Sequence, residues 1–334
     1  MAVSVFARKS NIALFADISV LIVAVFWGGS YTAAKIALQY DDVLVFMLLR
    51  FALTAALMAP ITLRGLRADL GNNLKIGIPL GTILFSIFIA ETYGIKYTTA
   101  SNAAVLISLC VVFTPLLDSL ITRTRLDWRI VAAAMACVMG TGVLINGSEV
   151  DFNLGDQLIL VAAGLRALMV TATKKLTTGH VLSSGGLTTV QLGTVAVLTL
   201  FTLMAMPGPL EFHISTDTPY VLAVLYLVVM CTMFAFYVQT KMVRATSPTR
   251  VSMLMGTEPI FGAVFAVMLL GETLTPSALI GGGVIVIATY VGIRIESQKA
   301  SLTCCDQTLD VAIAPGDGSD AETEAEAEAS SFRS

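Results

Sequence analysis

Long apolar runs separated by short polar connections dominate the chain. Ten of them approach or exceed 20 residues, at 17–38, 43–63, 74–95, 99–121, 128–146, 154–176, 181–206, 218–243, 248–270 and 277–295. A helix needs about 20 mostly apolar residues to cross a hydrocarbon core of about 30 Å, so each run is long enough to span. Unpaired backbone groups cannot face lipid, and a β-barrel would show shorter segments of alternating polarity, which 130–139 and 284–291 lack. Turn formers collect in the connections at 64–73, 147–155 and 207–219. The expected fold class is an all-α polytopic membrane protein with about ten transmembrane helices. The first run is too long, and too poor in a cleavage site, to be a removed signal peptide.

Composition agrees with this pattern and excludes a soluble globule. Hydrophobic residues make up 56% and charged residues 13% of the 334 positions, against about 45–50% and 25% in ordinary soluble domains. Mean hydropathy is +0.84. The net charge of −3 conceals an asymmetry: residues 299–334 hold two basic and eight acidic side chains, leaving the preceding 298 residues at +3. Sixteen of the twenty lysines and arginines fall at the termini and alternate connections of one side, and only Lys35 and Lys96 on the other. The positive-inside rule then puts both termini in the cytoplasm and makes the span count even. Residues 1–16 form a cytoplasmic N-terminus. The acidic segment 296–334, with its Glu-Ala alternation at 322–329, is expected to be a disordered cytoplasmic tail.

Five spans in each half invite comparison of the halves. Setting Asp17 against Asp156 also aligns Leu21 with Leu160, Thr32 with Thr171, Ala33 with Ala172 and Lys35 with Lys174. A second register aligns Thr98 with Thr246, Leu106 with Leu254, Phe113 with Phe261 and Leu126 with Leu274. An odd number of spans per repeat forces opposite orientations. The expectation is two inverted five-helix repeats, at 17–146 and 154–295, with a site near the midplane where they meet.

Specific motifs accompany the repeat. Trp27-Gly28 lies in the first run, Leu49-Arg50-Phe51 in the second, and Tyr97-Thr98-Thr99-Ala100-Ser101-Asn102-Ala103 leads into the fourth. Glu258-Pro259-Ile260-Phe261 is followed by Leu270-Gly271-Glu272-Thr273-Leu274-Thr275-Pro276. Over about residues 12–296 this set resembles the EamA-type members of the drug/metabolite transporter superfamily. The resemblance implies a ten-helix, two-repeat carrier in the plasma membrane, or the inner membrane of a Gram-negative cell, often exporting amino acids or other small metabolites.

An ionisable side chain at the centre of a span costs about 2.5–3.5 kcal/mol on insertion scales and is a functional candidate by default. Arg166 lies 12 residues after Leu154, about 18 Å into the membrane at 1.5 Å per residue. Glu258 lies 11 residues after Ser247, about 16 Å from the opposite face. Sharing the midplane, they can form a structural salt bridge, hold the two ends of a zwitterionic substrate, or, through Glu258, couple transport to protons. Arg50 and Glu91 sit at similar depths in the outer halves of their spans and suit a gate or a brace. Trp27, Ser30, Tyr31 and Ala34 share a face of the first span. Trp27 at mid-depth either stacks on an aromatic or apolar substrate or packs in the core. Pro259 removes a backbone donor and is expected to break its helix, with Pro79 and Pro115 bending theirs. Asp17, Lys35, Asp118, Asp127, Asp156 and Lys241 lie near span ends and are read as anchors reaching headgroups or water.

Other chemistry is excluded. The basic residues form no nucleic-acid surface. Cysteines show neither zinc spacing nor a disulfide framework, and no phosphate-binding loop is present. His180 and His213 fall in opposite-side connections. Ser108 and Cys110 have no base at hand, so no hydrolase is expected. No cofactor or metal is expected; the partners are a small-molecule substrate, membrane lipid and protons, and small-residue packing fixes no oligomeric state. The leading expectation is a secondary active transporter working by alternating access around Trp27, Tyr31, Arg166 and Glu258. The alternative is a non-transporting membrane sensor or scaffold acting through its acidic tail.

Overall fold

The computed structural model describes residues 2–98, 103, 106–144, 153–206, 215–270 and 275–313, and these are helical apart from short connections. The helices are α1 (Ala2–Gly28), α2 (Ser30–Ala37), α3 (Val43–Ala68), α4 (Leu70–Tyr97), α5 (Cys110–Thr122), α6 (Trp128–Leu144), α7 (Leu154–Thr177) and α8 (Ser184–Ala205). There follow α9 (Thr218–Tyr226), a π-helical segment (Leu227–Phe234), α10 (Ala235–Ala245), α11 (Pro248–Met255), α12 (Glu258–Leu270) and α13 (Pro276–Ile313).

Helix therefore occupies part of every apolar run, and among the described residues seven helical stretches are long and apolar enough to cross a membrane: Leu14–Ala37, Val43–Ala68, Leu70–Tyr97, Leu154–Thr177, Ser184–Ala205, Thr218–Ala245 and Pro276–Lys299. Leu106–Thr122 and Trp128–Leu144 are shorter apolar helices, flanked by residues outside the described set. The run at 248–270 is cut at Gly256 and Thr257 into α11 and α12. Pro259 falls in the first turn of α12, where a missing N–H costs nothing, so the break expected there lies just before it. Pro79 and Pro115 lie inside helices that continue through them. The last helix runs past the span to Ile313, so the first part of the tail expected to be disordered is helical. An existing helix supplies the costly nucleus, which lets residues of ordinary propensity extend it. Residues 314–334 lie outside the described set.

Helix starts follow from local chemistry. The Asn153 side chain accepts from the Asp156 backbone N–H while Asp156 accepts from the Asn153 N–H, a capping box that opens α7. Asp69, Ser183 and Ser247 cap α4, α8 and α11 in the same way with one side-chain bond each. Large apolar side chains such as Phe15, Ile61, Leu120, Phe201 and Ile287 face outward, the inverse of a soluble surface.

The tightest packing is between helices of different halves: α6 on α13, α4 on α7 and α8, and α3 on α8. At the α6–α13 crossing, a Cβ on Gly140 would stand 3.0 Å from the Gly281 carbonyl oxygen, and one on Gly281 would overlap the Leu144 backbone. Small residues allow this approach, which dispersion rather than hydrophobicity drives in lipid.

Two contacts recur at opposite ends of the molecule. The Asp17 carboxylate takes both Arg250 Nε and Nη2 at 2.7 Å, near the start of α11. Asp156, fully buried, accepts the Thr98 hydroxyl at 2.5 Å, just before the run at 99–121. Both aspartates were expected to reach headgroups or water, but instead tie helices together. Lys35 Nζ donates to the Thr98 carbonyl past the end of α4, and Lys174 Nζ to the Arg244 carbonyl in the last turn of α10. Asp17 and Lys35 are 18 residues apart along α1 and α2, so the Asp17 and Asp156 contacts are separated by roughly 27 Å along the helix axis.

Replacing Gly281 by Leu should destabilise the protein by roughly 1–3 kcal/mol through overpacking. Gly283→Leu, with no atom within 4 Å of its Cβ position, should be neutral. Thermal unfolding of the detergent-purified protein reads both; an unchanged midpoint for Gly281→Leu would mean that α6 and α13 do not touch there.

Candidate functional site

Helices from both halves converge on a buried charge cluster. Arg166, in the middle of α7, faces Glu91 of α4 with Nη2 at 2.9 and 2.8 Å from the two carboxylate oxygens and Nε at 3.2 Å from Oε2. Its other terminal nitrogen, Nη1, lies 3.9 Å from Glu258 Oε2 at the first residue of α12. The guanidinium carbon sits 5.1 Å from the Trp27 ring centroid, within cation–π range. One cation thus answers two anions, and all three side chains are largely withdrawn from solvent. Placing the Glu258 carboxylate at a helix N-terminus adds the favourable end of the helix dipole.

Trp27 is fixed by an unusual piece of backbone. Its Nε1–H donates to the Cys231 carbonyl at 2.8 Å, in the π-helical segment. In that segment the Thr232 hydroxyl donates to the Leu227 carbonyl, five residues back, at 2.7 Å, and accepts from Arg50 Nε at 2.7 Å. The wider turn frees main-chain and side-chain groups to face a neighbouring helix, a frequent use of π segments. Phe236 stacks on Trp27 at 5.3 Å between centroids. A second close approach brings α12 against α1, since a Cβ on Gly28 would meet the Gly262 backbone at 2.7 Å.

Trp27, Arg50, Glu91 and Arg166 line one cavity, with Phe46, Phe88 and Phe236 among its walls. Its volume is about 20 Å³, room for about one water molecule. Arg50 and Glu91, expected as a pair, share the cavity without bonding: Glu91 is taken by Arg166, while Arg50 turns to Thr232 and the face of Phe88. Depth along a helix does not specify direction around it, and Arg166 approaches Glu91 from the right side. The expected Arg166–Glu258 contact is present. Tyr31 is buried one turn beyond Trp27, packed with Ala90, Ile107 and Ala163. Its hydroxyl and Glu258 Oε1 are buried, and neither has a well-formed hydrogen bond among the described residues. Sequence reasoning missed Thr232 and the three phenylalanines. A threonine within the apolar stretch 227–234 was the one available signal. Ser101 and Asn102, expected on a polar flank, lie outside the described residues.

Seven long apolar helices among the described residues, an outward-facing apolar surface and a buried cluster of charge define a multi-pass membrane protein. The model of the EamA-like transporter family matches residues 14–146 and again 153–293. An uncharacterized transporter of Archaeoglobus fulgidus is 27% identical over 281 residues, covering 83% of this chain and 85% of the relative. A probable amino-acid metabolite efflux pump of Salmonella typhimurium is 26% identical over 283 residues, 82% of this chain and 93% of that one. A crystal structure, 16% identical and covering 85% of this chain and 98% of its own, superposes with a TM-score of 0.66, a likeness of fold. The chain belongs to the EamA-like transporter family. It is a membrane transporter and not an enzyme.

Removing one partner of a buried pair leaves an uncompensated charge, so Glu91→Gln should cost about 3–5 kcal/mol. Arg166→Met alone strands two carboxylates and should cost at least as much, and the double variant, which leaves only Glu258 without its arginine, should lose less than the sum of the two. A double-mutant cycle by thermal unfolding checks this; strictly additive losses would mean that the two side chains are not coupled.

Proposed function

We propose that the protein is a secondary active carrier that exports amino acids or similar small metabolites by alternating access. The two halves, 17–146 and 154–295, are inverted five-helix repeats that rock about the midplane. The carrier lies in the plasma membrane with both termini, including the tail 296–334, in the cytoplasm. The observation that carries this reading is the narrow cavity where Trp27 and Glu91 of one half meet Arg166 of the other. A cavity with room for about one water cannot admit a metabolite unless its walls separate. Separation of the halves is the motion that would open it.

Two features support the repeat. Asp17 and Asp156, equivalent in the internal alignment, bond to Arg250 in the first turn of α11 and to Thr98 just before the run at 99–121, and the equivalent Lys35 and Lys174 donate to carbonyls at the ends of α4 and α10. The family model also matches twice. Export of amino-acid metabolites is supported by the Salmonella typhimurium relative.

Glu258 shares its cation with Glu91 and retains a buried oxygen without a well-formed bond. A proton or a substrate ammonium group would complete it, and Tyr31 is the adjoining hydroxyl. Trp27 offers a ring face to the substrate body. Arg166 holds the two carboxylates in place.

Proteoliposomes loaded with labelled amino acids and related metabolites, under an imposed proton gradient, should show saturable counterflow. Glu258→Gln should insert normally and lose the gradient-driven component by roughly tenfold or more, the loss of about 1.4 kcal/mol of coupling. Absence of saturable flux for the whole panel, from folded protein, would remove the carrier reading; flux independent of Glu258 at every pH would remove the coupling. Reporter domains fused to each terminus should both read as cytoplasmic, and a split result would overturn the even span count.

A further inference from the structure

The cluster contains two arginines and two glutamates, so its formal charges balance, but their pairing is lopsided. Arg166 takes both carboxylates. Arg50 has none: among the described residues no carboxylate lies within 4.0 Å of it, and its one side-chain hydrogen bond runs from Nε to Thr232. Yet Arg50 is 7% exposed and lines the cavity. Its guanidinium rests against a pair of rings, 5.0 Å from the Phe88 centroid and 5.5 Å from that of Phe51, which are themselves 4.6 Å apart. The Nε bond and the rings fix the plane of the fork while leaving both terminal NH₂ groups without an acceptor among the described residues.

We infer that Arg50, rather than Arg166, is the receptor for a carboxylate on the transported molecule. This rests on the carrier reading, because the cavity must widen before a metabolite can reach the fork. A guanidinium presents two parallel N–H donors that match the two oxygens of a carboxylate, and here that edge is already oriented and desolvated. Arg166 cannot serve, since its fork is filled by Glu91. Trp27, Phe46, Phe88 and Phe236 surround the position with apolar faces. The ligand class is therefore a monocarboxylate with an apolar or aromatic body, with or without an amino group. A brace would need no exposed donors on the cavity side.

Three probes separate the groups: L-phenylalanine, 3-phenylpropionate, which lacks the amine, and phenethylamine, which lacks the carboxylate. Calorimetric titration of the full-length purified protein should show binding of the first two and none of the third. Arg50→Lys keeps the charge but loses the fork and should weaken both carboxylates by roughly tenfold or more. Thr232→Val removes only the bond that orients Arg50 and should weaken them less. Phenethylamine binding as well as L-phenylalanine, carboxylate affinity unchanged in a folded Arg50→Lys variant, or no binding of any probe by folded wild type would each overturn the inference. Flux is read separately. Saturable L-phenylalanine counterflow undiminished in Arg50→Lys would remove the receptor and leave the carrier. Carboxylate binding that depends on Arg50, without flux of any solute, would remove the carrier and leave the receptor.

Discussion

The arrangement at the centre of this protein follows from one cation, Arg166, held between two anions and largely withdrawn from solvent. Stranding any one of these charges in an apolar span costs a few kcal/mol, more than a single packing contact returns. Arg166 must therefore be met by Glu91, and Glu258 must approach what remains of the same guanidinium. Those two requirements fix α4 and α12 against α7 from different sides. Trp27 closes the remaining face of the guanidinium with its ring, and its N–H then needs an acceptor, which the Cys231 carbonyl supplies. The π-helical segment is thus part of the same arrangement, since it supplies the carbonyl that takes Trp27 and the Thr232 hydroxyl that takes Arg50.

The membrane fold was legible in the sequence because its signal is long and redundant. A run of about 20 apolar residues has few alternative fates, and each of the ten runs contains helix. Charge depth was legible too: counting residues from the span ends brought Arg166 and Glu258 to a common level, and they meet. The pairing of Arg50 with Glu91 failed for a definite reason. Axial position follows from a fixed rise per residue, whereas direction around the axis depends on how neighbouring helices are rotated, and no local residue records that. The π segment was invisible on the same ground, since Leu227 to Phe234 would read as ordinary helix until the demands of Trp27 and Arg50 are known. The anchors Asp17 and Asp156 were placed at the right ends but given the wrong partners, lipid and water instead of Arg250 and Thr98.

Those end contacts bear on how the centre could move. Asp17 joins the first run to the ninth at one end, and Asp156 joins the sixth to the approach of the fourth at the other. A rigid separation of the halves at one end would have to break the contact there while leaving the other as a hinge. The Arg250 fork is held by Asp17 at both nitrogens and by Ser297 at a third, whereas Asp156 holds a neutral hydroxyl. Charge-assisted, bidentate bonds are stronger than a bond to a neutral donor. The two ends are therefore closed by bonds of unequal kind, a bidentate ion pair at one and a carboxylate–hydroxyl bond at the other.

That inequality connects to the central cluster through the broken ninth run. Arg250 lies in α11 and Glu258 begins α12, separated by the Gly256–Thr257 break. A continuous helix would transmit any shift of Arg250 to Glu258 as a rigid rod, dragging a carboxylate past its arginine. The break lets α11 and α12 dock on α1 independently, α11 through Asp17 and α12 through the Gly28–Gly262 approach. The longest of the cluster's charge contacts, at 3.9 Å, is the one made by the first residue after that break.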